Sequence, residues 1–367
     1  MTRFSILGGG WRTEGYLSAI RDLPDLFEIT GVYVRNPQKR LTLSHKYNVS
    51  IWNNLEDLLK DPGDFVVNIG SRTALSDITS ELLKANVPVL SETPPATSVE
   101  TLCLLWENLN RLPMPPFLVA EQCYARPYFR AVARLLESGL LGSPVRMTLS
   151  MLHDYHGISI LRKFLQAGFE HCIIRASYLP ERVLASADRN GLKPNGEVNT
   201  SNLLSATLQF EGGTTGQYHF CNEQYFSQLR SNHLQICCEC GEVFDTSIRF
   251  FSPEGDFIQA QMDRVDLGHH DNLEGYSNRG IVSLGKYLYK NPYSERMLTE
   301  PRRLTDDEIA ICDCLLAMKR YIETGFAEYP AAEAFQDTYL ALLMHQAAKS
   351  DQELRSEKMP WNSGRIV

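Results

Sequence analysis

The chain has 367 residues, of which 43% are hydrophobic and 22% charged, and its formal net charge is −8. This composition is ordinary for a globular protein, and the length suits two domains better than one core. The negative charge argues against a general nucleic-acid binder, and no apolar run approaches the ~20 residues that span a bilayer. Because a strand begins almost at once, leaving no room for a signal peptide, we expect a cytoplasmic protein without a membrane or nucleic-acid partner.

A glycine-rich turn follows the first predicted strand, Phe4–Leu7, and leads into a helix. Gly8 and Gly10 fit the dinucleotide pattern Gly-x-Gly-x-x-Gly, and Thr13 stands in the third glycine's place. Bare glycines let the backbone approach a pyrophosphate, which the helix N-terminus attracts. An ordinary turn is the alternative. The residues predicted to hold the pyrophosphate are Gly8, Gly10, Trp11, Arg12 and Thr13.

The first 125 residues alternate strand and helix, which predicts a doubly wound parallel sheet of the Rossmann type. Capping signals mark two of the helices, Asn36-Pro37 and the capping box Thr97–Glu100. The predicted strands are Phe4–Leu7, Ile29–Val34, Phe65–Ile69, Val87–Leu90 and Phe117–Ala120, and the predicted helices cover Thr13–Asp22, Asn36–Lys46, and stretches beginning near Leu75 and Thr97.

From about Ser143 consecutive strands with few helices between them predict a mostly antiparallel sheet. The strand-like segments are Pro144–Leu152, Leu203–Phe210, Gly216–Phe220, His233–Cys238 and Val243–Ile248. The polar stretch Ser252–Pro301 has no clear pattern. A capping box at Thr305–Glu308 starts one helix, and Ala331–Ser350 forms another.

The nine cysteines lie mostly in apolar surroundings, which favours free thiols in the core. Cys237, Cys238 and Cys240 contain one C-x-x-C spacing, but no second ligand pair is apparent. We therefore predict a buried strand there and no metal site. His269-His270-Asp271 is the other metal or substrate candidate, and its polar surroundings favour a solvated loop.

The end of the second strand bears on the choice of cofactor. An NAD site places a carboxylate there, yet Glu28 precedes the strand, and the strand ends in Arg35-Asn36. The planar fork of an arginine pairs well with a 2′-phosphate. Arg35 and Asn36 therefore favour NADP over NAD, and a solvated surface is the alternative.

Four segments in the right order resemble the Gfo/Idh/MocA oxidoreductases, which include glucose-fructose oxidoreductase and inositol dehydrogenase. They are the Glu92-Thr93-Pro94 turn after a short strand, the segment Ala120–Pro127, the glycine-bounded Gly139–Gly142, and Tyr329–Ala341. The resemblance implies a cofactor domain at 1–125, an α+β substrate and oligomerisation domain with an open-faced sheet at 126–330, and a C-terminal helix and tail at 331–367 that return to the first domain. It also implies a sugar-like or polyol-like substrate and a homodimer or homotetramer formed through the second-domain sheet.

The resemblance assigns further site residues. The family usually reads Glu-Lys-Pro with a catalytic lysine, and Thr93 stands in that position here. A threonine hydroxyl forms hydrogen bonds but carries no charge. Where members of the family often read Thr-Pro-Asn-x-x-His after the preceding strand, this chain has Gly70, Ser71, Arg72 and Leu75. Cofactor contacts are expected from Gly70, Ser71, Glu92 and Gln122.

The family's Asp-x-x-x-His signature has its counterpart at His153–Ser159. His156 takes the histidine's place and is the expected proton carrier, because an imidazole titrates near neutral pH. Asp154 is predicted to orient that imidazole, and Lys163 is a candidate to replace the missing ammonium. An ordinary polar helix start is the alternative for this segment.

Two functions are compatible with these residues. The first is an NAD(P)-dependent oxidoreductase that moves hydride between nicotinamide and a secondary alcohol or ketone. The second is a catalytically degenerate sensor or regulatory protein that binds dinucleotide or sugar, which the uncharged Thr93 would favour.

Overall fold

The first domain of the computed structural model is a six-stranded parallel sheet in the order β3-β2-β1-β4-β5-β6. The model describes residues 1–21, 23–111, 114–193, 195–227, 229–267, 277–294 and 304–363. The elements are β1 Thr2–Leu7, α1 Trp11–Arg21, β2 Phe27–Tyr33, α2 Pro37–Tyr47, β3 Ile51–Trp52, α3 Leu55–Lys60, β4 Phe65–Asn68, α4 Leu75–Lys84, β5 Val89–Ser91, α5 Val99–Leu109 and β6 Phe117–Val119.

This sheet confirms the predicted Rossmann architecture. Its order reverses between β1 and β4, and such a switch point opens a crevice at the carboxyl ends of the strands. Asn36 caps α2 as predicted, by accepting a hydrogen bond from the Lys39 amide. At α5 the prediction was wrong by one residue, because Ser98 rather than Thr97 is the cap. The short β3 and α3 were not predicted.

The second domain contains a nine-stranded mixed sheet, in which only β7 and β12 pair in parallel. Its strand order is β16-β15-β14-β13-β7-β12-β11-β8-β20. The elements from the linker onward are α6 Gln122–Ala125, α7 Pro127–Glu137, β7 Pro144–Ser150, α8 Asp154–Phe164, β8 Cys172–Leu184, β9 Ala187–Asp188, β10 Gly191–Leu192, β11 Val198–Phe210, β12 Thr215–Phe220, β13 His233–Cys238, β14 Gly241–Phe244, β15 Ser247–Phe251, β16 Phe257–Gln261, β17 Asp263–Leu267, β18 Ser277–Ser283, β19 Lys286–Lys290, α9 Asp306–Thr324, α10 Ala331–Ser350 and β20 Leu354–Arg355.

The mostly antiparallel sheet was expected, but several of its strands were not. The 13-residue β8 was missed because it mixes charged residues with apolar ones. The predicted strand Val243–Ile248 is two strands, β14 and β15, joined at Asp245 with φ 53°. The unassigned stretch contributes β16 to the large sheet, and β17, β18 and β19 form a sheet of their own.

The last two helices both pack against the first domain. Phe335 of α10 contacts Trp106 and Phe117, with ring centroids 5.4 and 6.3 Å apart, and Trp361 closes the cluster. This confirms the expected return of the C-terminal helix. Helix α9 packs on α1 as well, although it lies within the range predicted for the second domain. A Cβ placed on Gly15 would be 3.5 Å from Ile311.

Candidate functional site

The glycine turn brings the backbone close to the edge of the sheet. Gly8 has φ 140°, and a Cβ there would lie 2.3 Å from the Ile69 carbonyl oxygen, so only glycine fits. A Cβ on Gly10 would meet nothing within 4 Å, and α1 begins directly after it. The turn therefore offers an open approach to a helix N-terminus, as the dinucleotide prediction requires.

One cavity of about 280 Å³ connects this turn to the predicted catalytic residues. Its walls come from the carboxyl ends of β4, β5 and β6 and from the start of α8. The lining residues are Trp11, Arg12, Ile69, Gly70, Arg72, Leu75, Glu92, Thr93, Pro94, Gln122, Cys123, Arg126, Leu152, His153, Asp154, Tyr155, His156, Arg189 and Tyr225.

Thr93 and His156 meet at the wall of this cavity although they are 63 positions apart. The Thr93 Oγ1 lies 3.3 Å from the His156 Nε2. On the other side of the ring, Nδ1 lies 2.8 Å from the Glu121 carboxylate, whose side chain is 1% exposed. Glu121 also accepts a hydrogen bond of 2.9 Å from the Cys123 amide, which fixes its position.

The surroundings of His156 favour its charged form. Burial opposes the imidazolium, but Cys123 and Glu121 next to the ring outweigh it and raise the pKa of His156 well above its usual 6.5. Nδ1–H therefore donates to Glu121, and Nε2–H is available on the cavity side, where Thr93 lies. A buried proton donor thus faces the cavity.

The turn before α8 is held by hydrogen bonds and places His156 at the cavity wall. Leu152 and Asp154 both have positive φ, 61° and 43°. The Tyr218 hydroxyl donates to the Leu152 carbonyl and accepts from the Asp154 amide, both at 2.8 Å. Gly157 makes room for this ring, because a Cβ there would lie 2.3 Å from Tyr218. The strand therefore ends at Ser150, and α8 starts with its first turn at the cavity wall.

Two predicted roles differ from the structure. Asp154 does not orient His156, because its carboxylate pairs with His345 at 3.0 Å, and Glu121 holds the imidazole instead. Lys163 is not brought to Thr93 either. Its ammonium lies 5.0 Å from the ring of Tyr124 and lines a separate cavity, since α8 turns that residue away from His156.

Arg12 and Glu92 are engaged with protein partners. The Arg12 guanidinium contacts Glu92 at 3.2 Å and Asp307 of α9 at 2.8 Å. Glu92 also accepts from the Tyr16 hydroxyl and the Thr93 amide, each at 3.2 Å. Asp307 in turn accepts from Arg126 at 2.7 Å. This network holds the glycine turn, the Thr93 turn and α9 together.

The other predicted cofactor contacts fall into two groups. Trp11, Gly70 and Gln122 line the cavity, and Thr13 is buried directly behind the glycine turn. Within the described residues, Thr13 Oγ1 and Gln122 Oε1 are buried without a hydrogen-bond partner, which fits a site that a polar ligand completes. Ser71, Arg35 and Asn36 are exposed and lie outside the cavity lining.

In the described part of the chain, one group of side chains has the composition of a metal site. Ligand atoms of Glu121, Cys123 and His156 lie within 4.8 Å of one another. The hydrogen bond between Glu121 and His156 satisfies this group without an ion. Cys237 and Cys238 lie in β13, which confirms the predicted strand, but both are only partly buried and Cys240 is exposed, so the predicted burial was wrong. His269-His270-Asp271 lies outside the described residues.

Sequence reasoning overlooked Glu121, the partner of His156. The available signal was its place directly after the apolar segment that contains β6, because charged residues at the carboxyl ends of parallel strands face the crevice. Arg72, which also lines the cavity, was noted only as a departure from the Thr-Pro-Asn-x-x-His motif, and Arg189 was not singled out. Arg189 comes from the β9–β10 hairpin, which was not predicted.

No helix of the described residues is long and apolar enough to cross a membrane. A search of curated proteins found no match to this chain. Residues 2–113 match the model of the GFO_IDH_MocA family, described as an oxidoreductase family with an NAD-binding Rossmann fold.

The whole chain is similar to solved oxidoreductases. An NAD-binding oxidoreductase from Klebsiella pneumoniae is 12% identical with a TM-score of 0.70, covering 98% of this chain and 100% of that one. An oxidoreductase from Agrobacterium radiobacter, in complex with NAD+, L-tartaric acid and magnesium, is 14% identical with a TM-score of 0.67, covering 96% and 98%. The apo scyllo-inositol dehydrogenase from Lactobacillus casei is 13% identical with a TM-score of 0.66, covering 97% and 99%. The N-terminal domain thus matches the NAD-binding Gfo/Idh/MocA family, and the complete chain has the two-domain fold of these dehydrogenases.

Proposed function

We propose that the protein is an NAD(P)-dependent oxidoreductase that moves hydride between nicotinamide and a secondary alcohol or ketone of a small molecule. The observation that carries this proposal is the proton donor His156, held by Glu121 on the wall of the cavity that begins at the glycine turn. A hydride transfer to a carbonyl needs a proton for the oxygen, and an imidazolium at the wall can supply it.

The raised pKa of His156 supplies the positive charge that is lost because Thr93 stands where the family usually has a catalytic lysine. Thr93 carries no charge, so it cannot stabilise a developing alkoxide as an ammonium does. The imidazolium of His156, 3.3 Å from Thr93 Oγ1, brings a positive charge to the same place. In the reductive direction Nε2–H protonates the substrate oxygen while the Thr93 hydroxyl donates a hydrogen bond. Alcohol oxidation reverses these transfers and needs the neutral ring.

The residues of the glycine turn fit a dinucleotide, which supplies or accepts the hydride when bound. Gly8, Gly10 and the α1 N-terminus would hold its pyrophosphate, and the unpaired Gln122 Oε1 would meet its polar groups. Arg35 at the end of β2 supports the preference for NADP, because no carboxylate occupies that strand end.

The substrate class and the oligomeric assembly are part of this proposal. The Lactobacillus casei enzyme is named for an inositol, and the Agrobacterium radiobacter oxidoreductase was solved with L-tartaric acid. Both names support a polyol or related hydroxylated compound for this chain. A homodimer or homotetramer through the second-domain sheet is the proposed assembly, and exposed Val145, Phe244 and Phe251 on its strands favour a covered surface.

Nucleotide titration tests the cofactor half of the proposal. We expect NADPH to bind more tightly than NADH, as followed by nicotinamide fluorescence and by the increase in Tm. Arg35→Gln should weaken NADPH by about tenfold and leave NADH unchanged, because only NADPH has the 2′-phosphate. Lys39→Gln is the matched control on the neighbouring helix surface.

Two outcomes would redirect the proposal. If neither nucleotide binds, the glycine turn is only a turn and the oxidoreductase function is wrong. If nucleotide binds but the wild type turns over no polyol or sugar and none of their carboxylated or phosphorylated derivatives, the degenerate binding protein is favoured, since Thr93 permits binding without proton transfer.

A further inference from the structure

The cavity beside Thr93 and His156 has more positive charge than its own acids neutralise. Four arginines line it. Arg12 and Arg126 are neutralised by two carboxylates, since Arg12 contacts Glu92 at 3.2 Å and Asp307 contacts Arg12 at 2.8 Å and Arg126 at 2.7 Å. Among the described residues, no acidic side chain forms an ion pair with either of the other two, Arg72 and Arg189. Two unpaired guanidinium groups in one cavity are unexpected in a chain whose net charge is −8.

These two arginines come from different domains and face the same space. Arg72 follows β4, in the turn that leads to α4 of the first domain. Arg189 lies at the tip of the β9–β10 hairpin of the second domain, and its guanidinium stacks 4.2 Å from the ring of Trp11. The hairpin therefore reaches the first domain beside the glycine turn, and each domain contributes one of these two arginines to the cavity lining.

Both arginines line the same cavity as His153, which lies next to His156. The ring of His153 is 5.7 Å from that of His156 and stacks on Tyr225 at 5.1 Å. Burial and the charge of His156 lower the pKa of His153 to about 4, and Arg72 and Arg189 contribute in the same direction. The positive charges of Arg72 and Arg189 therefore act on His153, the neighbour of the proton donor His156.

The acids near these arginines have other partners. Asp154 pairs with His345 at 3.0 Å, and Asp188, adjacent to Arg189, pairs with Lys193 at 2.9 Å. Glu92 is held by Arg12. A guanidinium binds carboxylates and phosphates through two parallel hydrogen bonds, so an anion is the ligand that this pair selects.

We propose that the substrate carries an anionic end group, a carboxylate or a phosphate, which Arg72 and Arg189 hold next to the carbon that reacts beside Thr93 and His156. The inference rests on the proposed function and deepens it by naming the substrate class. We therefore expect a neutral polyol or sugar to be a poor substrate. The bound anion would contact both domains, through Arg72 of the first and Arg189 of the second.

Three probes with the same carbon chain test the inference: D-sorbitol, D-gluconate and sorbitol 6-phosphate. Binding is measured by calorimetry and by the Tm of the full chain, with and without NADPH. No hydride moves, because NADPH can only donate hydride and none of the three probes has a ketone or aldehyde to accept it. We expect gluconate or sorbitol 6-phosphate, but not sorbitol, to bind and to raise the Tm. The acid that binds identifies the end group as carboxylate or phosphate. Affinity should fall as salt is added.

Substitution of each arginine locates the contact. Arg72→Gln and Arg189→Gln should each weaken the acidic probe about 10- to 100-fold, as expected for a lost charged hydrogen-bond pair, and leave the NADPH affinity unchanged. Both side chains are exposed, so the variants should fold, and an unchanged Tm without ligand checks this. Arg182→Gln, an exposed arginine of β8 outside the cavity, is the matched control.

Each contrary result has a distinct meaning. If neither acidic probe binds more tightly than sorbitol, the inference is overturned while NADPH binding in the same samples still supports the cofactor site. If the substitutions weaken NADPH rather than the acidic probe, the arginines belong to the cofactor phosphates and the inference is wrong. If NADPH itself does not bind, the proposed function fails independently of the anion result.

Discussion

Two partly buried ionic clusters lie at the cleft between the domains, and they differ in whether their charge can change. In the first, Arg12 contacts Glu92 and Asp307, and Asp307 also holds Arg126. In the second, His156 contacts Glu121 and Thr93. The pKa of Arg12 is raised further above its already high value by these acids despite its burial, so this cluster stays charged at every ordinary pH.

The difference separates a structural cluster from a reactive one. A guanidinium fixed between two carboxylates connects elements that are distant in sequence but has no proton to give. An imidazolium with a raised pKa is stable enough to be charged and can still lose its proton to a substrate. The same cleft thus contains one network that holds its walls and one pair suited to chemistry.

The largest expected effect follows from removing the proton donor. His156→Gln should lower kcat by about 100- to 10,000-fold, the usual contribution of general acid–base catalysis, and leave the nucleotide affinity nearly unchanged. Steady-state kinetics with a substrate found among carboxylated or phosphorylated hydroxy compounds, together with nicotinamide fluorescence, measures both. His45→Gln on the exposed surface of α2 is the control. Full activity in the variant would show that His156 is only a polar helix residue.

The next effect distinguishes the clusters by stability. Arg12→Gln should lower the free energy of unfolding by about 3 kcal/mol, because it leaves the buried Glu92 carboxylate without its cation. Glu121→Gln should lower it by only about 1 kcal/mol, because His156 can respond by losing its proton. Denaturant unfolding at neutral pH measures both. Equal losses would contradict the distinction between the clusters.

The smallest effect is a shift in pH dependence. Glu121 contributes to raising the pKa of His156, so Glu121→Gln should move the pH profile of kcat/KM to lower pH. Ketone reduction needs the imidazolium, so its rate falls as pH rises through that pKa, and alcohol oxidation rises over the same range. In the variant, the pH profiles of ketone reduction and of alcohol oxidation should both shift to lower pH. An unchanged profile would assign the titration to another group.

The pH dependence of the free energy of unfolding provides an independent measurement of the His156 pKa. His156 has a higher pKa in the folded protein than unfolded, so the stability that it contributes is complete below about pH 6.5 and is lost as pH rises through the folded-state pKa. The stability difference between wild type and Glu121→Gln should therefore shrink at alkaline pH. Glu56→Gln, an exposed carboxylate of α3, should show no such trend.

The first domain was largely predictable because its signals are local. Apolar strands, glycine turns and caps such as Asn36 each reflect a few neighbouring residues. The second domain was harder, since the strand β8 is defined by thirteen pairings with β11 rather than by its own pattern. The split of Val243–Ile248 depended on the positive φ of Asp245, which a sequence reading does not reveal.

At the site, the sequence singled out Thr93 and His156 but not their surroundings. Thr93 and His156 were named separately, and the structure brings them to 3.3 Å. The proximity of Asp154 in sequence suggested the wrong partner, because a turn with two positive φ values directs that side chain to His345. Long-range partners such as Glu121 and Asp307 depend on how the domains pack.

The aromatic cluster of Phe335, Trp106 and Trp361 has a consequence for synthesis of the chain. Helix α5 is made early, but the helix and tail that cover Trp106 are made more than 200 residues later. An apolar surface of the cofactor domain therefore stays exposed while the second domain is translated. At ~5–20 residues per second this interval lasts about 10 to 50 seconds, so we expect chaperone dependence to be greatest for nascent chains that stop before residue 331.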